Sequence, residues 1–199
     1  QRRQGEIRDL SGNLLHDIKT PLANIRNDAE AALRNESDKD AVLANVCESC
    51  DLLLSAITTN AEIATISSGL CRANRELVNV ADEINQAAQL YRFVADAKHQ
   101  VLETQIQDEG LLVLAHRLHI QQLVGNLLDN AVKYTPEGSC IVISAEDTGK
   151  FAEIKIADDG AGIPDASKAK IFDMFYTGDN VGADSRRGLG LGLYLCKSI

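Results

Sequence analysis

The sequence predicts two folds in one chain: an all-α helical hairpin, followed by an α+β two-layer sandwich. Two series of apolar residues at helical spacing, separated by a short polar segment, predict the hairpin. After residue 67 the pattern changes to short β-type runs mixed with helical stretches, which predicts one sheet with helices on one face. We therefore divide the 199 residues into 1–68 and 69–199.

The hairpin is predicted from two apolar series. The first runs from Ile7 to Leu33 and predicts one long helix, and the polar segment "RNESDKD" then interrupts the pattern. The second series alternates intervals of three and four, as in a heptad seam, at Leu43, Val46, Cys50, Leu53, Ile57, Asn60 and Ala64. Two such helices cannot bury both of their stripes, so we expect two hairpins to form a dimeric four-helix bundle.

The α+β region begins with "ELVNV", which predicts a short strand, and Asp82 is then expected to cap a helix that ends near Ala97. The runs "QVLETQI" and "LLVLA" predict two further strands. A helix follows over "RLHIQQLVGNLLDNAVKY". "CIVISAED" and "FAEIKIAD" flank "TGK" and predict a β-hairpin.

Composition narrows the classes of function. The formal net charge is −9, which argues against nonspecific binding to nucleic acid because that binding depends on Lys and Arg. No run of consecutive apolar residues approaches the length of a membrane span, and "QRRQGEIRDL" lacks the apolar core of a signal peptide. We therefore expect a soluble segment without membrane contact.

The five cysteines do not form the pattern of a secreted disulfide framework, which favours a reducing cytosol. Cys47 and Cys50 form a CxxC pair that could indicate a metal or redox site. No second pair completes a tetrahedral zinc site, so we interpret Cys50 as a packing residue of the seam. Lys98, His99 and His119 are interpreted as surface or strand-edge residues.

Three segments carry polar or glycine-rich patterns typical of a ligand site. Asn126, Asn130 and Lys133 lie on one helix face, where two carboxamides and an ammonium suit Mg²⁺ and phosphate oxygens. "DDGAGIP" follows a strand and "RRGLGLGL" precedes a helix, and glycines at such junctions let the backbone approach a ligand. Each segment alone could equally be a loop or a solvated face.

Taken in order, "HDIKTPL", "NLLDNAVKYT", "DDGAGI", "IFDMFY" and "GLGLGL" resemble the catalytic core of a bacterial two-component sensor histidine kinase. The resemblance covers the whole chain. It implies a dimeric helical hairpin that carries a phosphorylated histidine, followed by an ATP-binding domain of the Bergerat type. It also implies a response regulator receiver domain as partner, ATP and Mg²⁺ as cofactors, and a cytoplasmic location behind an upstream sensor region.

The resemblance assigns the phosphoacceptor to His16, with Asp17 accepting a hydrogen bond from the other ring nitrogen. Thr20 lies four residues on, where the HDxxT pattern implies a hydroxyl that orients water for dephosphorylation of the regulator. Proline inside a helix removes a hydrogen bond, and the family has a proline at the position of Pro21 that bends this helix.

For the nucleotide, the resemblance assigns the Mg²⁺ ligand to Asn126 and phosphate contacts to Asn130 and Lys133, with the Tyr134 ring nearby. Asp158 corresponds to the aspartate that accepts a hydrogen bond from the adenine amino group. The other assigned residues shape turns or supply positive charge to the phosphates: Gly160, Gly162, Arg186, Arg187, Gly188, Gly190 and Gly192. "YTGDNVGADSRR" would form a mobile lid, anchored by Phe172 and Phe175.

The sequence departs from the family at three points. Asp159 stands where the family often has Asn, and His116 stands where an aspartate commonly caps the asparagine helix. The sequence also stops at "LYLCKSI", so we expect the ATP-binding domain to lack its C-terminal strands. Two other functions stay open: a dimeric regulator-binding module with a non-catalytic ATP site, and a Bergerat-type ATPase clamp without phosphohistidine.

Overall fold

The computed structural model describes residues 22–34, 39–67, 74–174, 176–178 and 190–199. Helix α1 covers residues 22–33 and helix α2 covers Lys39–Ser67, as predicted for the two arms of a hairpin. The predicted catalytic residues His16, Asp17 and Thr20 lie outside the described residues, and so does the rest of the first predicted helix. The proposed boundary between residues 68 and 69 also lies there and stays a prediction.

Helix α2 buries a different row of residues from the predicted seam. The buried positions recur every seven residues, at Val42, Ser49, Ala56 and Ile63. In the predicted seam, Leu43 and Ile57 are 62% and 56% exposed, and Cys50 is exposed as well. Within one chain, α2 is apolar over a wide arc and buries only the neighbouring row, so the packing role expected for Cys50 in the seam of a dimeric bundle stays a prediction.

The exposed row continues with Leu54, so α2 carries a second apolar stripe: Leu43, Cys50, Leu54 and Ile57. Within Lys39–Ile66, an 18-residue window has a mean hydropathy of 1.4, and by length and composition this helix could cross a membrane. The sequence-based expectation considered only unbroken apolar runs and missed this property. A helix that packs in a bundle meets the same criterion, so hydropathy by itself does not show whether the stripe faces a membrane or another helix.

The α+β region has five strands and four helices within the described residues. The bounds are β1 Glu76–Asn79, α3 Val80–Ala97, β2 Val101–Ile106, β3 Leu112–Ala115, α4 Arg117–Tyr134, β4 Cys140–Asp147, β5 Ala152–Asp158, α5 Asp165–Lys168 and α6 Gly192–Ser198. The predicted strands and the two predicted long helices are all confirmed. β-type alternation and helical spacing were therefore sufficient to identify these elements.

The strands form two sheets, whereas the sequence analysis predicted one. β1 pairs with β3 in an antiparallel ribbon, and a separate sheet has the order β2-β4-β5. β2 and β4 are parallel, and β4 and β5 form the predicted antiparallel hairpin. Pairing between strands that are distant in sequence depends on tertiary packing, which alternation within each strand does not encode.

The core lies between the three-stranded sheet and helices α3 and α4. On the central strand β4, Ile141, Ile143 and Ala145 alternate inward and are buried. The other buried members come from both helices and the adjoining strands: Val80, Ile84, Ala88, Ala95, Leu102, Leu111, Val124, Leu128, Ala131 and Val132. The layered α+β architecture is therefore as predicted.

Helix α3 is capped by Asn79 and not by Asp82. The Asn79 side chain accepts hydrogen bonds from the backbone N–H groups of Ala81 at 2.9 Å and Asp82 at 3.3 Å. Its Nδ2 donates to the carbonyl of Glu109 at 2.8 Å. The last residue of β1 thus begins the helix directly, because Asn in an extended conformation satisfies two of the first free N–H groups.

Candidate functional site

Helix α4 carries the predicted asparagine stripe, and its N-terminal end is fixed to α3 by a buried glutamate. The Glu83 side chain is fully buried, where it contacts Arg117 Nη1 and accepts a 2.7 Å hydrogen bond from Gln121 Nε2. Arg117 Nε also binds Glu76 at 2.8 Å. A buried carboxylate is tolerated only when it is paired in this way, so the network locks α4 in place.

The first residues of α4 show how the departure at His116 is accommodated. His116 occupies the N-cap position without a side-chain capping hydrogen bond, as its replacement of the usual aspartate predicted. Its ring stacks on that of His119 with centroids 4.7 Å apart, and its Nδ1 is buried without a partner among the described residues. Burial, and secondarily the neighbouring His116, lowers the pKa of His119.

The C-terminal end of α4 is held by two side chains from the segment before β2. Lys98 Nζ donates to the carbonyl of Val132 at 2.7 Å, and Gln100 Nε2 donates to the carbonyl of Thr135 at 2.7 Å. These donors satisfy carbonyl groups at a helix end, where the helix dipole also favours positive charge. Lys98 was predicted to be a surface residue, and its capping role was not recognised.

The predicted stripe lies along α4 as expected. Asn126, Asn130 and Lys133 are all partly buried, and the Tyr134 side chain at the end of the helix is half exposed. Lys133 Nζ lies 3.4 Å from Asp129 Oδ2 in an i,i+4 pair. The three predicted ligand residues therefore share one face, with the Lys133 ammonium resting on an exposed carboxylate.

The "DDGAGIP" turn lies against the C-terminal end of α4. Asp158 Oδ1 accepts a 2.9 Å hydrogen bond from the Gly160 N–H. A Cβ added to Gly160 would lie 2.5 Å from that oxygen and 3.4 Å from the carbonyl of Tyr134. Gly162 has φ 71°, a conformation that favours glycine. Glycine at position 162 therefore suits the backbone conformation of the turn, and the missing side chain at Gly160 leaves room for the Asp158 carboxylate that its N–H binds.

Asp159, which replaces the family's usual asparagine, turns back onto β4. Its Oδ2 accepts a 3.2 Å hydrogen bond from the Cys140 N–H, and its own N–H donates to the Cys140 carbonyl at 3.3 Å. The side chain extends the β4–β5 pairing by one residue. Asp159 therefore holds the end of β5 against β4, and Asp158 lies at the edge of the turn.

Near the middle of α4, the start of α6 approaches Asn126. A Cβ added to Gly192 would lie 3.1 Å from Asn126 Oδ1, and Gly190 has φ 67°. Leu191 and Leu195 are buried, and Cys196 Sγ lies 3.9 Å from the carbonyl of Leu123. Burial raises the pKa of Cys196 to about 11.

These contacts define a surface along α4 that is bounded at both ends. The Asp158 turn meets α4 at Tyr134, and the glycine segment before α6 meets it at Asn126. The two ends are separated by about 12 Å of helix. Such a surface suits an extended ligand with hydrogen-bonding groups at one end and phosphates at the other. Arg186, Arg187 and Gly188 lie outside the described residues.

The residues present fit ATP and Mg²⁺. Within the ranges that the structure describes, no group of three or more His, Cys, Asp or Glu side chains could hold a metal ion. Magnesium in nucleotide sites commonly uses one or two protein oxygens together with phosphates and waters, so the Asn126 carboxamide oxygen is a suitable single ligand. That oxygen lies beside the first residue of α6, Gly192.

Sequence reasoning missed the residues that support α4. Glu83, Gln121 and Gln100 carry no local signal, because their partners are more than 30 positions away in sequence. Phe172, predicted as a lid anchor, is partly exposed, and Phe175 lies outside the described residues.

The comparisons with known proteins agree with this geometry. Residues 115–199 match the family described as histidine kinase-, DNA gyrase B-, and HSP90-like ATPase. Over 96% of its length the chain is 32% identical to the sensor protein KdpD of Clostridium acetobutylicum, and over 89% it is 32% identical to the sensor protein CreC of Escherichia coli. It spans 22% and 37% of those two relatives.

Solved structures share the fold. The histidine kinase AdeS of Acinetobacter baumannii superposes with a TM-score of 0.74 at 19% identity, over 92% of this chain and 84% of AdeS. Full-length ShkA in complex with AMPPNP superposes with a TM-score of 0.67 at 23% identity, over 96% of this chain and 40% of ShkA. The kinase ThkA in complex with the response regulator protein TrrA superposes with a TM-score of 0.65 at 20% identity, over 88% of this chain and 52% of the matched chain.

Proposed function

Because the chain belongs to the sensor histidine kinases, we propose that it uses ATP to phosphorylate His16 and passes the phosphoryl group to an aspartate of a response regulator. The observation that carries the proposal is the bounded surface on α4. It joins the Asp158 turn at Tyr134 to the glycine segment at Asn126 along one row of carboxamide and ammonium groups. The order of these features suits adenine at one end and the triphosphate at the other.

Each side chain of the surface has a defined task in this proposal. Asp158 accepts a hydrogen bond from the adenine amino group, and Asn130 and Lys133 donate to phosphate oxygens. To do so, Lys133 must break its ion pair with Asp129, and this costs little free energy because the pair is 3.4 Å long and its carboxylate is exposed. Asn126 holds Mg²⁺, which supplies neutralisation of the charge on the phosphates. Arg186, Arg187 and the glycines 188, 190 and 192 complete the phosphate contacts.

The transferred group goes to a histidine nitrogen. The Nε2 lone pair of His16 attacks the γ-phosphorus, while the bond from that phosphorus to the β–γ bridging oxygen breaks and ADP leaves. Asp17 accepts a hydrogen bond from the Nδ1–H group, which keeps Nε2 unprotonated and nucleophilic. A carboxylate oxygen of the receiver domain then attacks this phosphorus, the P–N bond to His16 breaks, and the phosphoryl group passes to the aspartate. Thr20 orients the water that later hydrolyses that aspartyl phosphate.

The proposed partners are a receiver domain and a second copy of this chain. The kinase ThkA is known in a complex with a response regulator, which supports the first partner. The exposed stripe Leu43, Cys50, Leu54 and Ile57 supports the second, because a bundle of two hairpins would bury it. We assign the segment to the cytoplasm, where ATP is supplied, and propose residues 1–68 as the dimerisation and phosphotransfer unit and 69–199 as the ATP-binding unit.

The test is incubation of the purified chain with γ-labelled ATP and Mg²⁺, alongside His16→Gln and Asp158→Asn. We expect label on the intact chain that is acid-labile and base-stable, no label on His16→Gln, and weak labelling of Asp158→Asn. Nucleotide binding, measured separately by calorimetry, should be retained in His16→Gln and weakened in Asp158→Asn, by about 10-fold or more for loss of one charge-assisted hydrogen bond.

Other results would contradict the kinase assignment. Nucleotide binding without labelling of the intact chain would favour an ATPase clamp or a module biased towards dephosphorylation. Labelling that survives in His16→Gln would place the phosphoacceptor elsewhere. Phosphotransfer is tested by adding a purified receiver domain to the labelled chain. A receiver domain whose phosphoaccepting aspartate is replaced is the control, because the label should then stay on the kinase.

A further inference from the structure

The buried side chain of Gln100 binds the C-terminal end of α4 on both sides of two residues of the candidate site. Gln100 is 2% exposed, and its Nε2 donates to the carbonyl of Thr135 at 2.7 Å and to the carbonyl of Val132 at 3.2 Å. A carboxamide nitrogen carries two hydrogens, so it can bind both carbonyls at once. Lys133 and Tyr134 lie between these two anchored positions.

The backbone from which this side chain projects is itself held at both ends. The Gln100 N–H donates to the carbonyl of Ala95 at the end of α3, and the Val101 N–H donates to the carbonyl of Ser139, both at 2.9 Å. The preceding residue, His99, has φ 54°, a conformation that a residue other than glycine keeps only where the surrounding structure holds it. The carboxamide therefore acts from a fixed support.

The anchored end of α4 is also the surface on which the Asp158 turn rests. A Cβ added to Gly160 would lie 3.4 Å from the carbonyl of Tyr134, and the Gly160 N–H donates to Asp158 Oδ1 at 2.9 Å. A shift of this helix end would therefore move the Asp158 carboxylate. Asn126 lies about two helical turns earlier on α4, beyond the segment that Gln100 holds.

The polar character of Gln100 is costly at this position. Its Oε1 is buried without a hydrogen-bond partner among the described residues, and so is Oγ1 of the neighbouring buried Thr135. Buried polar atoms are nearly always paired, because an unpaired one loses its hydrogen bonds to water without replacement. A residue that served packing alone would be apolar here. Side chains that break the packing rules in this way are concentrated at functional sites.

We propose that Gln100 is a positioning residue for nucleotide binding. By holding the end of α4, it sets where Tyr134 and the Asp158 carboxylate stand, and hence where the adenine ring binds relative to Asn126. Gln100 itself does not touch the nucleotide. The proposal rests on the proposed ATP-binding function, and it assigns to Gln100 an effect on nucleotide affinity and none on the rate of phosphoryl transfer.

One substitution and one control separate positioning from stability. Gln100→Leu removes both N–H donors at nearly the same side-chain size. Asn79→Ala removes two hydrogen bonds from the first turn of α3, in the same domain but at a helix end that does not contact the Asp158 turn. Circular dichroism gives the Tm of each variant, and binding is then measured at a temperature where both are folded.

The first measurement is calorimetric binding of ADP and of a non-hydrolysable ATP analogue to the full chain. We expect Kd to rise by about 3- to 10-fold for both nucleotides in Gln100→Leu, the range expected for one hydrogen bond. In autophosphorylation, KM for ATP should rise by a similar factor with kcat within twofold of the unaltered chain. Asn79→Ala should leave Kd, KM and kcat within twofold although its Tm is lower.

The second measurement tests whether Gln100 acts through Asp158. When Gln100→Leu is combined with Asp158→Asn, the further rise in Kd should be smaller than the rise that Gln100→Leu causes alone, because the two residues serve one contact with adenine. Full additivity of the two losses would overturn this route.

Other results would also overturn the proposal. An unchanged Kd in Gln100→Leu, with only a lower Tm, would make Gln100 a structural residue. An equal rise in Kd in Asn79→Ala would assign the effect to a general loss of stability, and a lower kcat at unchanged KM would place the effect at the phosphates. If the unaltered chain binds neither nucleotide, the ATP-binding function itself fails; if it binds both and Gln100→Leu binds equally well, only the role of Gln100 fails.

Discussion

The helical hairpin and the α+β domain differ in how completely they bury their apolar residues. In the domain, Ile84, Leu128 and Ile141 are fully enclosed between the sheet and two helices. In α2, by contrast, Leu43, Leu54 and Ile57 face outward although they occupy regular helical positions. One region completes its core within a single chain, and the other leaves a stripe that single-chain packing does not cover.

The difference follows from the number of layers in each region. A sheet covered by helices encloses its inner face, whereas two helices touch along one line and leave the adjoining positions exposed. The stability of the domain is therefore expected to depend on individual core residues, and the stability of the hairpin on association with a second copy. Experiments on each region can test this contrast.

The largest effect is expected from Leu128→Ala in the domain core. Removing a fully buried leucine from α4 should lower the free energy of unfolding by about 2–5 kcal/mol, because the lost burial is accompanied by a cavity. Denaturant unfolding followed by circular dichroism measures this. Leu112→Ala, at an exposed position on β3, is the control and should cost much less. Equal losses for both variants would show that the domain core is not packed as described.

The second effect concerns the hairpin stripe. Ile57→Glu replaces an exposed apolar residue of α2 and should weaken the proposed dimer by about 10- to 100-fold in Kd, because a carboxylate would have to be desolvated there. Sedimentation equilibrium measures the dimer. Leu90→Glu is the matched control, since Leu90 is an exposed apolar residue on α3. A dimer that tolerates Ile57→Glu and is broken by Leu90→Glu would move the interface to the domain.

The third effect separates the observed cap of α3 from the one that the sequence predicted. Asn79→Ala removes the acceptor for two backbone N–H groups and should cost about 1 kcal/mol. Asp82→Ala leaves the cap in place and should cost only the weaker attraction of a carboxylate to the helix dipole. Thermal unfolding of the two variants compares them. A larger loss of stability in Asp82→Ala than in Asn79→Ala would support Asp82 as the cap.

The smallest effect is a pH dependence at the start of α4. Burial lowers the pKa of His119 below its ordinary value of 6.5, so the folded state resists the proton that the unfolded chain accepts. Stability should therefore be unaffected at high pH and should fall as the pH drops through 6.5. His119→Gln should reduce this loss by on the order of 1 °C in Tm. A loss of stability at low pH that is unchanged in His119→Gln would exclude His119 as its source.

Local patterns were sufficient for the elements of the domain. The helix predicted over "RLHIQQLVGNLLDNAVKY" is α4 itself, and "TGK" separates β4 from β5 as expected. These predictions succeeded because helical spacing and strand alternation record which side of an element faces the interior. The placement of Asn126, Asn130 and Lys133 on one face followed from the same periodicity.

Interactions between distant segments were not accessible in this way. The separation of the strands into two sheets, the buried pairing of Glu83 with Arg117 and the capping of α4 by Lys98 and Gln100 each join residues far apart in sequence. The choice between two adjacent rows on α2 was also undetermined, because both rows are apolar. Which row is buried depends on the position of the neighbouring helix.

The sequence by itself determined the helices and strands of the domain, the shared face of the α4 ligand residues and the glycines at both turns, because spacing and side-chain size act over a few residues. Only the tertiary structure decided how the strands pair, which row of α2 is buried, and that the buried Glu83 pairs with Arg117. Those outcomes depend on burial and hydrogen bonding between segments that meet only when the chain has folded.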